Sequence, residues 1–406
     1  MEEKQLFEMA LGISDPWTIE RVEFDPERKR LDLILAFRRG SRFPCPECGA
    51  TDCPVHDTKE RTWRHLDFFQ HEAYLTAKVP RVRCDTHGVR QVNVPWARPG
   101  SGFTLLFEAM ALCMGRQMAV SAAAEILRCH ADSLWRILSH YVAKAHEEQD
   151  LSGLKAIGVD ECSKERGHQY LTVFADLDQS RVIHVAEHRE IAAFHRLADD
   201  LASRSVDLDQ IENLCMDMWG PYRIGAEEVF PGAAVTYDRF HVMMLMNRAV
   251  DAVRRREVKE NAALQGSCYL WRKNPETLRA SERERLWRIQ ALDTKTGRAY
   301  QIKLALQRVW TYKMREEAEA YLKRWFFWAT HSRLQPVIDV AWTIRRHWRG
   351  VLNFVTSRFT TGVVEGLNSK IKTAMKRAYG FKAFRYLRTI IYLVAGKLTL
   401  PSPTRC

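Results

Sequence analysis

Short apolar runs separated by turn-length polar segments fill the middle of this chain, and helical spacing dominates the region C-terminal to them. Residues 155–160, 170–176 and 181–185 are brief and rich in β-branched or aromatic residues, with Asp178-Gln179-Ser180 between the last two, which predicts an antiparallel meander. A helical pattern covers 191–203, and two more strands are expected at 211–217 and 233–237. Upstream, 61–69 and 72–83 alternate as strands, and Ala97-Arg98-Pro99-Gly100-Ser101-Gly102 reads as a linker. Beyond it, Val120 to Leu127 and Asp132 to Leu138 predict two helices around Arg128-Cys129-His130-Ala131, with Asp132 as the cap of the second. That pair suits a helix-turn-helix and a plain helical hairpin equally well. Downstream, roughly 243–349 is rich in helix formers, and Thr361 or Gly362 starts a further helix.

The order β-β-β-α-β-α-β from residue 155 onward is that of a ribonuclease H-like fold, in which the first and fourth strands are neighbours. The expected architecture is therefore an α/β class chain: a ribonuclease H-like core at 151–242 and 351–395, interrupted by a helical insertion at 243–350. A small β module at 1–97, expected to be zinc-bound through Cys45-Pro46-Glu47-Cys48 and Cys84-Asp85-Thr86-His87, two turns with metal-ligand spacing, and a helix-turn-helix region at 98–150 precede it.

Composition narrows the partner. A chain of 406 residues, 46% hydrophobic, can bury a large core in more than one domain. Its net charge of +12 points to a polyanion. From Ala341 to the end there are 13 Lys or Arg and one acid, Glu365, so the remainder is close to neutral. Cys113, Cys129, Cys162, Cys215 and Cys268 stand singly and read as buried thiols rather than a disulfide framework. With no apolar signal segment and no run long enough to span a bilayer, a reducing cytoplasm, with association to the nucleoid, is the expected setting.

Three carboxylates carry the candidate chemistry. Asp160 closes Ala156-Ile157-Gly158-Val159, Asp217 closes Leu214-Cys215-Met216, and Glu365 lies in the first turns of a basic helix with Asn368, Lys372 and Lys376 near its face. Two carboxylates at adjacent strand ends and a third on a helix can share two Mg²⁺ or Mn²⁺ ions, roughly 3.5–4 Å apart, for phosphoryl transfer. Strand alternation puts Glu161 on the opposite face from Asp160, and Asp238, at another strand end, is the rival of Asp217. For Glu365 the competing reading is an ion pair within its own helix, with Lys370 or Lys372.

Cys45-Pro46-Glu47-Cys48-Gly49 and Cys84-Asp85-Thr86-His87-Gly88 are two turns of equal spacing, each ending in Gly, which suits a tetrahedral zinc site of Cys45, Cys48, Cys84 and His87. Cys53 and His56 are competing ligands. Phosphate contacts are expected from Arg136 in the second helix of the helix-turn-helix, from Arg254, Arg255, Arg345 and Arg346 in the insertion, and from Lys370, Lys372, Lys376 and Arg377 after Glu365. The seven Trp between 271 and 348 are expected to be mostly core, with some stacking on an unpaired base.

Gly158-Val159-Asp160-Glu161, Gly167-His168-Gln169-Tyr170-Leu171-Thr172, Met216-Asp217-Met218-Trp219-Gly220-Pro221-Tyr222, Asp238-Arg239-Phe240-His241-Val242 and Glu365-Gly366-Leu367-Asn368-Ser369-Lys370-Ile371-Lys372 together resemble bacterial insertion-sequence transposases of the ISL3 type. The resemblance spans nearly the whole chain, including the zinc turns and Gly380-Phe381. It implies a DDE transposase with Asp160, Asp217 and Glu365 as its triad, acting on terminal-repeat and target double-stranded DNA. Synapsis of two ends implies a homo-oligomer. The competing functions are a zinc-dependent DNA-binding regulator on an inactive nuclease fold, and a nuclease that cuts without joining.

Overall fold

The computed structural model describes residues 3–165, 169–188 and 190–403; Gly167 and His168 of the quoted motif lie outside them. Two compact units emerge, one from Met1–His146 with Lys376–Leu393 and Leu398–Cys406, the other from Glu147–Met375 with Val394–Lys397.

The first unit opens with α1 (Glu3–Leu11), followed by β1 (Trp17–Asp25), β2 (Arg30–Phe37), β3 (Val55–Arg64), β4 (Glu72–Cys84) and β5 (Gly88–Gln91). These strands form one sheet in the order β1-β2-β4-β3, with β5 also on β4. The β1–β2 hairpin was not among the expected strands. β3 stops at Arg64, five residues before the predicted end, and the reason is the arginine itself. Its guanidinium is buried and donates to the carboxylate of Asp67 and to the carbonyls of His65 and Ala73, drawing the chain into a turn. Under the sheet, Trp17 and Trp63 both meet Trp96 edge to face, with ring centroids 4.9 and 5.6 Å apart, the geometry that the ring quadrupole favours.

Three helices complete the front of that unit: α2 (Leu105–Gln117), α3 (Val120–Ile126) and α4 (Ala131–Glu147). Thr104 caps α2 by accepting from the Phe107 amide at 3.3 Å. Between α3 and α4 the chain turns through Arg128, which has φ of 51°. α4 starts at Ala131, so Asp132 lies inside the first turn, where it favours the helix dipole, and is not the cap expected of it. Leu134, Ile137, Leu138 and Val142 bury one face of α4 and leave Arg136 exposed on the other.

In the second unit β6 (Ala156–Glu165), β7 (Gln169–Asp176) and β8 (Arg181–Glu187) form the antiparallel meander. α5 (Ala192–Ser203), β9 (Asn213–Met216), α6 (Gly220–Val229) and β10 (Ala234–Tyr237) come next. The sheet order is β10-β9-β6-β7-β8, with β9 parallel to both β6 and β10. This is the ribonuclease H-like topology, and it makes the first and fourth strands of the sheet neighbours.

Seven helices separate β10 from the Glu365 helix: α7 (Arg239–Glu257), α8 (Cys268–Arg272), α9 (Ala280–Gln290), α10 (Lys295–Gln307), α11 (Arg315–Thr330), α12 (Gln335–Arg346) and α13 (Trp348–Ser357). α14 (Gly362–Ala378) and α15 (Phe384–Ala395) close the chain. The insertion shares one continuous apolar cluster with the sheet, running from Val159 and Met216 through Val250 to Trp325 and Phe354. Gly350 seats α13 against β10, since a Cβ there would stand 2.5 Å from the Tyr237 ring. Trp271, Trp310 and Trp325 are core, whereas Trp287, Trp328 and Trp342 are exposed. Among the single cysteines, Cys162 and Cys215 are buried, but Cys113 is exposed on α2.

Candidate functional site

One gathered set of metal-ligand atoms and one looser set of carboxylates stand out. At the end of β4 and in the loop after β2, Cys45, Cys48, Cys84 and His87 bring their ligand atoms within 4.8 Å of one another, the one such group of three or more among the described residues. Cys48 Sγ lies 3.8 Å from Cys84 Sγ, and His87 Nδ1 lies 3.8 Å from Cys45 Sγ and 3.7 Å from Cys84 Sγ. A tetrahedron with bonds of roughly 2.3 Å has edges of about 3.8 Å, so the donor set fits Zn²⁺. Hydrogen bonds from the His87 amide, then the His87 ring and the Thr86 amide, pull the Cys84 thiol down to about 6, toward the thiolate that binds metal. The rivals are engaged elsewhere. Cys53 donates to the Ala50 carbonyl at 3.4 Å, and His56 faces Asp57 at 3.2 Å.

The acidic cluster is assembled by the sheet and by two helices docked on it. β6 and β9 pair in parallel as Ala156 with Asn213, Ile157 with Leu214 and Gly158 with Cys215. β9 ends at Met216, so Asp217 follows one residue past the strand, at the end of the sheet toward which β6 carries Asp160 two residues beyond the last pair. Asp160 lies within β6, which runs on to Glu165, rather than at its end as expected. Gly158 admits α14 to the strand: a Cβ there would stand 2.6 Å from Val364 Cγ2 and 2.6 Å from Leu177 Cδ2. That close approach brings Glu365, next to Val364, toward Asp160. Three residues on, Asn368 donates through Nδ2 to Asp160 Oδ2 at 2.9 Å and to the Glu161 carbonyl at 3.3 Å.

Burial pushes the Asp160 carboxyl up, against the Glu161 amide, the His241 charge and the Asn368 hydrogen bond, and the nearby Glu365 carboxylate adds to the upward push. Glu365 is exposed, and among the described residues no Lys or Arg lies within 4.0 Å of it, so the expected competing ion pair is not formed. Asp217 accepts from the Met218 amide at 2.6 Å, and its second oxygen lies 3.7 Å from His241 Nδ1. His241 is mostly buried, and neither ring nitrogen has a hydrogen-bond partner among the described residues. Sequence reasoning gave it no role, although its place in the first turn of a helix that starts at a strand end was visible.

Asp238 does different work. It is buried, caps α7 through the Phe240 amide at 2.8 Å, and with its other oxygen accepts from the Thr361 amide at 2.7 Å and the Thr361 hydroxyl at 2.5 Å. The carboxylate thus ties the start of α7 to the start of α14. Beside it a cleft of about 530 Å³ is bounded by Asp238, Phe240, Thr360 and Glu365 on one side and by Asn274 and Trp310 of the insertion on the other.

The basic residues divide. Arg255, Arg345, Arg346, Lys370, Lys372 and Lys376 are exposed, with Arg345 lying over the Trp348 ring at 5.1 Å. Arg254 is folded inward against Asp251 at 2.7 Å. Arg377 donates to the carbonyls of Gln117 and Arg116 at the end of α2, satisfying acceptors that the helix itself leaves open.

A transposase family profile, that of the ISL3 type of DDE transposase, matches residues 157–391, more than half of the chain. The chain belongs to the ISL3 transposase family. The family's zinc-finger profile, described for the transposases of IS204, IS1001, IS1096 and IS1165, matches 41–87, and its helix-turn-helix profile matches 92–142. The chain is 29% identical to the transposase for insertion sequence element IS1557 of Mycobacterium tuberculosis, over 99% of this chain and 98% of that one. It is 24% identical to the transposase for IS1001 of Bordetella parapertussis, over 95% and 97%. In this ISL3 family member the α3–α4 pair is accordingly a helix-turn-helix, not merely a hairpin. Among solved structures, a Drosophila P element transposase strand transfer complex overlaps 70% of this chain and 91% of its own, at 11% identity and a TM-score of 0.39.

Proposed function

We propose that this protein cleaves the ends of an insertion sequence and joins the freed 3′ hydroxyl to target DNA, with Asp160, Asp217 and Glu365 as its catalytic carboxylates. The observation that carries the reading is the docking of α14 at Gly158 and Asn368, which directs an exposed Glu365, with no Lys or Arg within 4.0 Å among the described residues, toward Asp160 in β6, beside the strand after which Asp217 follows. Membership of the ISL3 family favours DNA strand cleavage as the activity.

The donor set is suited to divalent ions. Hard carboxylate oxygens suit Mg²⁺ or Mn²⁺, and a buried Asp160 next to Glu365 is a pair of acids whose mutual repulsion a cation relieves. When bound there by Asp160, Asp217 and Glu365, such ions would stabilise charge on the attacking and leaving oxygens of an in-line displacement. The chain's own part is to orient. Asn368 fixes the Asp160 oxygen, and Asp238 holds the two helix starts in register. The hydrogen bonding of Asp238 favours Asp217 over it as the second ligand, because each Asp238 oxygen already serves a helix start.

The helix-turn-helix with Arg136, and the exposed Lys370, Lys372 and Lys376, suit duplex DNA. Two synapsed ends call for at least a dimer. No helix among the described residues is long and apolar enough to cross a membrane. The test is labelled terminal-repeat DNA with Mg²⁺ and purified protein. Nicked and joined products are expected; nicking with no joined product in the presence of target DNA would reduce the protein to a nuclease, and binding without cutting would make it a regulator.

A further inference from the structure

α7 starts beside the acids and runs away from them. His241, Arg248 and Arg255 recur every seven residues, so they lie on one face, at steps of about 10 Å along the axis. The same stripe, through Asn247 and Asp251, meets Arg272 from α8 around a concave pocket of about 440 Å³. Arg248 and Arg272 are exposed, and among the described residues neither has a carboxylate within 4.0 Å; Arg272 lies over the Tyr269 ring at 5.5 Å. Arg255 is held by Asp251 at 2.9 Å yet keeps 73% of its side chain exposed. Three guanidinium groups around one hollow, with one acid between them that is already shared with Arg254, make a site for a doubly bonded oxyanion.

We infer that Arg248, Arg255 and Arg272 form a phosphate clamp that grips one DNA strand along α7, leading away from the cleavage site. The placement relative to cleavage rests on the proposed function; the clamp itself rests on the pocket. A strand advances about 3.4 Å of duplex axis per phosphate, so Arg248 and Arg255 would meet phosphates roughly three and six nucleotides beyond the level of His241.

The test uses full-length, zinc-loaded protein and a fluorescein-labelled duplex, with binding followed by anisotropy between about 50 and 200 mM salt. Each phosphate contact contributes about 0.9 to the slope of log affinity against log salt. R248Q/R272Q should therefore lower that slope by about 2 and weaken binding at least tenfold at the low-salt end, and R248K/R272K should restore most of the slope. R196A, whose arginine already faces Glu190, should leave it unchanged. An unchanged slope in R248Q/R272Q, with an unchanged thermal midpoint, overturns the clamp. Cleavage is scored separately in Mg²⁺. A wild type that binds with the full slope but never cuts overturns the proposed activity and leaves the clamp standing, whereas normal cutting with an unchanged slope in the variant does the reverse.

Discussion

The zinc centre and the acidic centre are both built from residues far apart in sequence, but only the first has its ligand atoms gathered. Cys45, Cys48, Cys84 and His87 stand at tetrahedral spacing, whereas Asp160, Asp217 and Glu365 do not form a group within 4.8 Å. The difference arises from charge. Three thiols, one of them drawn toward its thiolate, and an imidazole carry little net charge and can be packed together before metal arrives, but three carboxylates repel one another, and burial already raises the proton affinity of Asp160. One centre is therefore gathered as a structural pin, whereas on the proposed function the other would be completed by cations and substrate.

The acidic side of that contrast carries the largest expected effect. Asp160→Asn or Glu365→Gln should lower cleavage about a thousandfold or more, some 4 kcal/mol of transition-state stabilisation, measured as single-turnover nicking. Without metal, Asp160→Asn should raise the thermal midpoint at neutral pH. Because burial raises the folded-state affinity of Asp160 for its proton, stability is lost as the pH rises from the ordinary carboxyl value to the raised one, and the loss is fully present at neutral pH. An unchanged or lower midpoint would count against the raised carboxyl.

Removing zinc tests the other side. A strong chelator, or Cys84→Ser, should unfold the zinc-bearing module, with a loss of several kcal/mol, while the unit built on the second sheet keeps its own melting transition by calorimetry. Loss of both transitions together would mean that the two centres are not independent.

His65 sharpens the comparison through pH. Burial, with Arg64 adding, lowers its ring to about 4 from an ordinary 6.5, and it sits 2.9 Å from Thr104, the cap of α2. A depressed histidine contributes its stability in full above about 6.5 and loses it as the pH falls toward about 4, roughly 3 kcal/mol in total. Denaturant midpoints of the first unit should track this fall in the wild type and flatten over the same range in His65→Asn.

Gly158→Ala should have the smallest effect of the series. The added methyl meets Val364 and Leu177, an overpacking cost of about 1–3 kcal/mol, and should displace Glu365 enough to slow cleavage roughly ten- to a hundredfold. Full activity in this variant would show that the docking of α14 does not set the site.

Spacing made the zinc turns legible in the sequence, because both pairs are local and end in glycine. Alternation did the same for the order of the second sheet, and the isolation of one acid in a basic tail singled out Glu365. What escaped was settled by tertiary packing. The β1–β2 hairpin carries no motif, and the turn after β3 depends on a buried Arg64. The inward folding of Arg254 and Arg377, the ring of His241 beside Asp217, and the hydrogen bond from Asn368 to Asp160 all depend on groups that no local pattern brings together. Asp238 looked like a second ligand because it too ends a strand, but its partner Thr361 lies more than a hundred residues away.

The most direct test replaces the second acid with a softer ligand. Asp217→Cys should be inactive with Mg²⁺ and partly active with Mn²⁺, since a thiolate ligates the softer ion better, while Asp238→Cys should stay impaired with both. Rescue of Asp238→Cys by Mn²⁺, with Asp217→Cys fully active in Mg²⁺, would contradict the assignment of Asp160, Asp217 and Glu365.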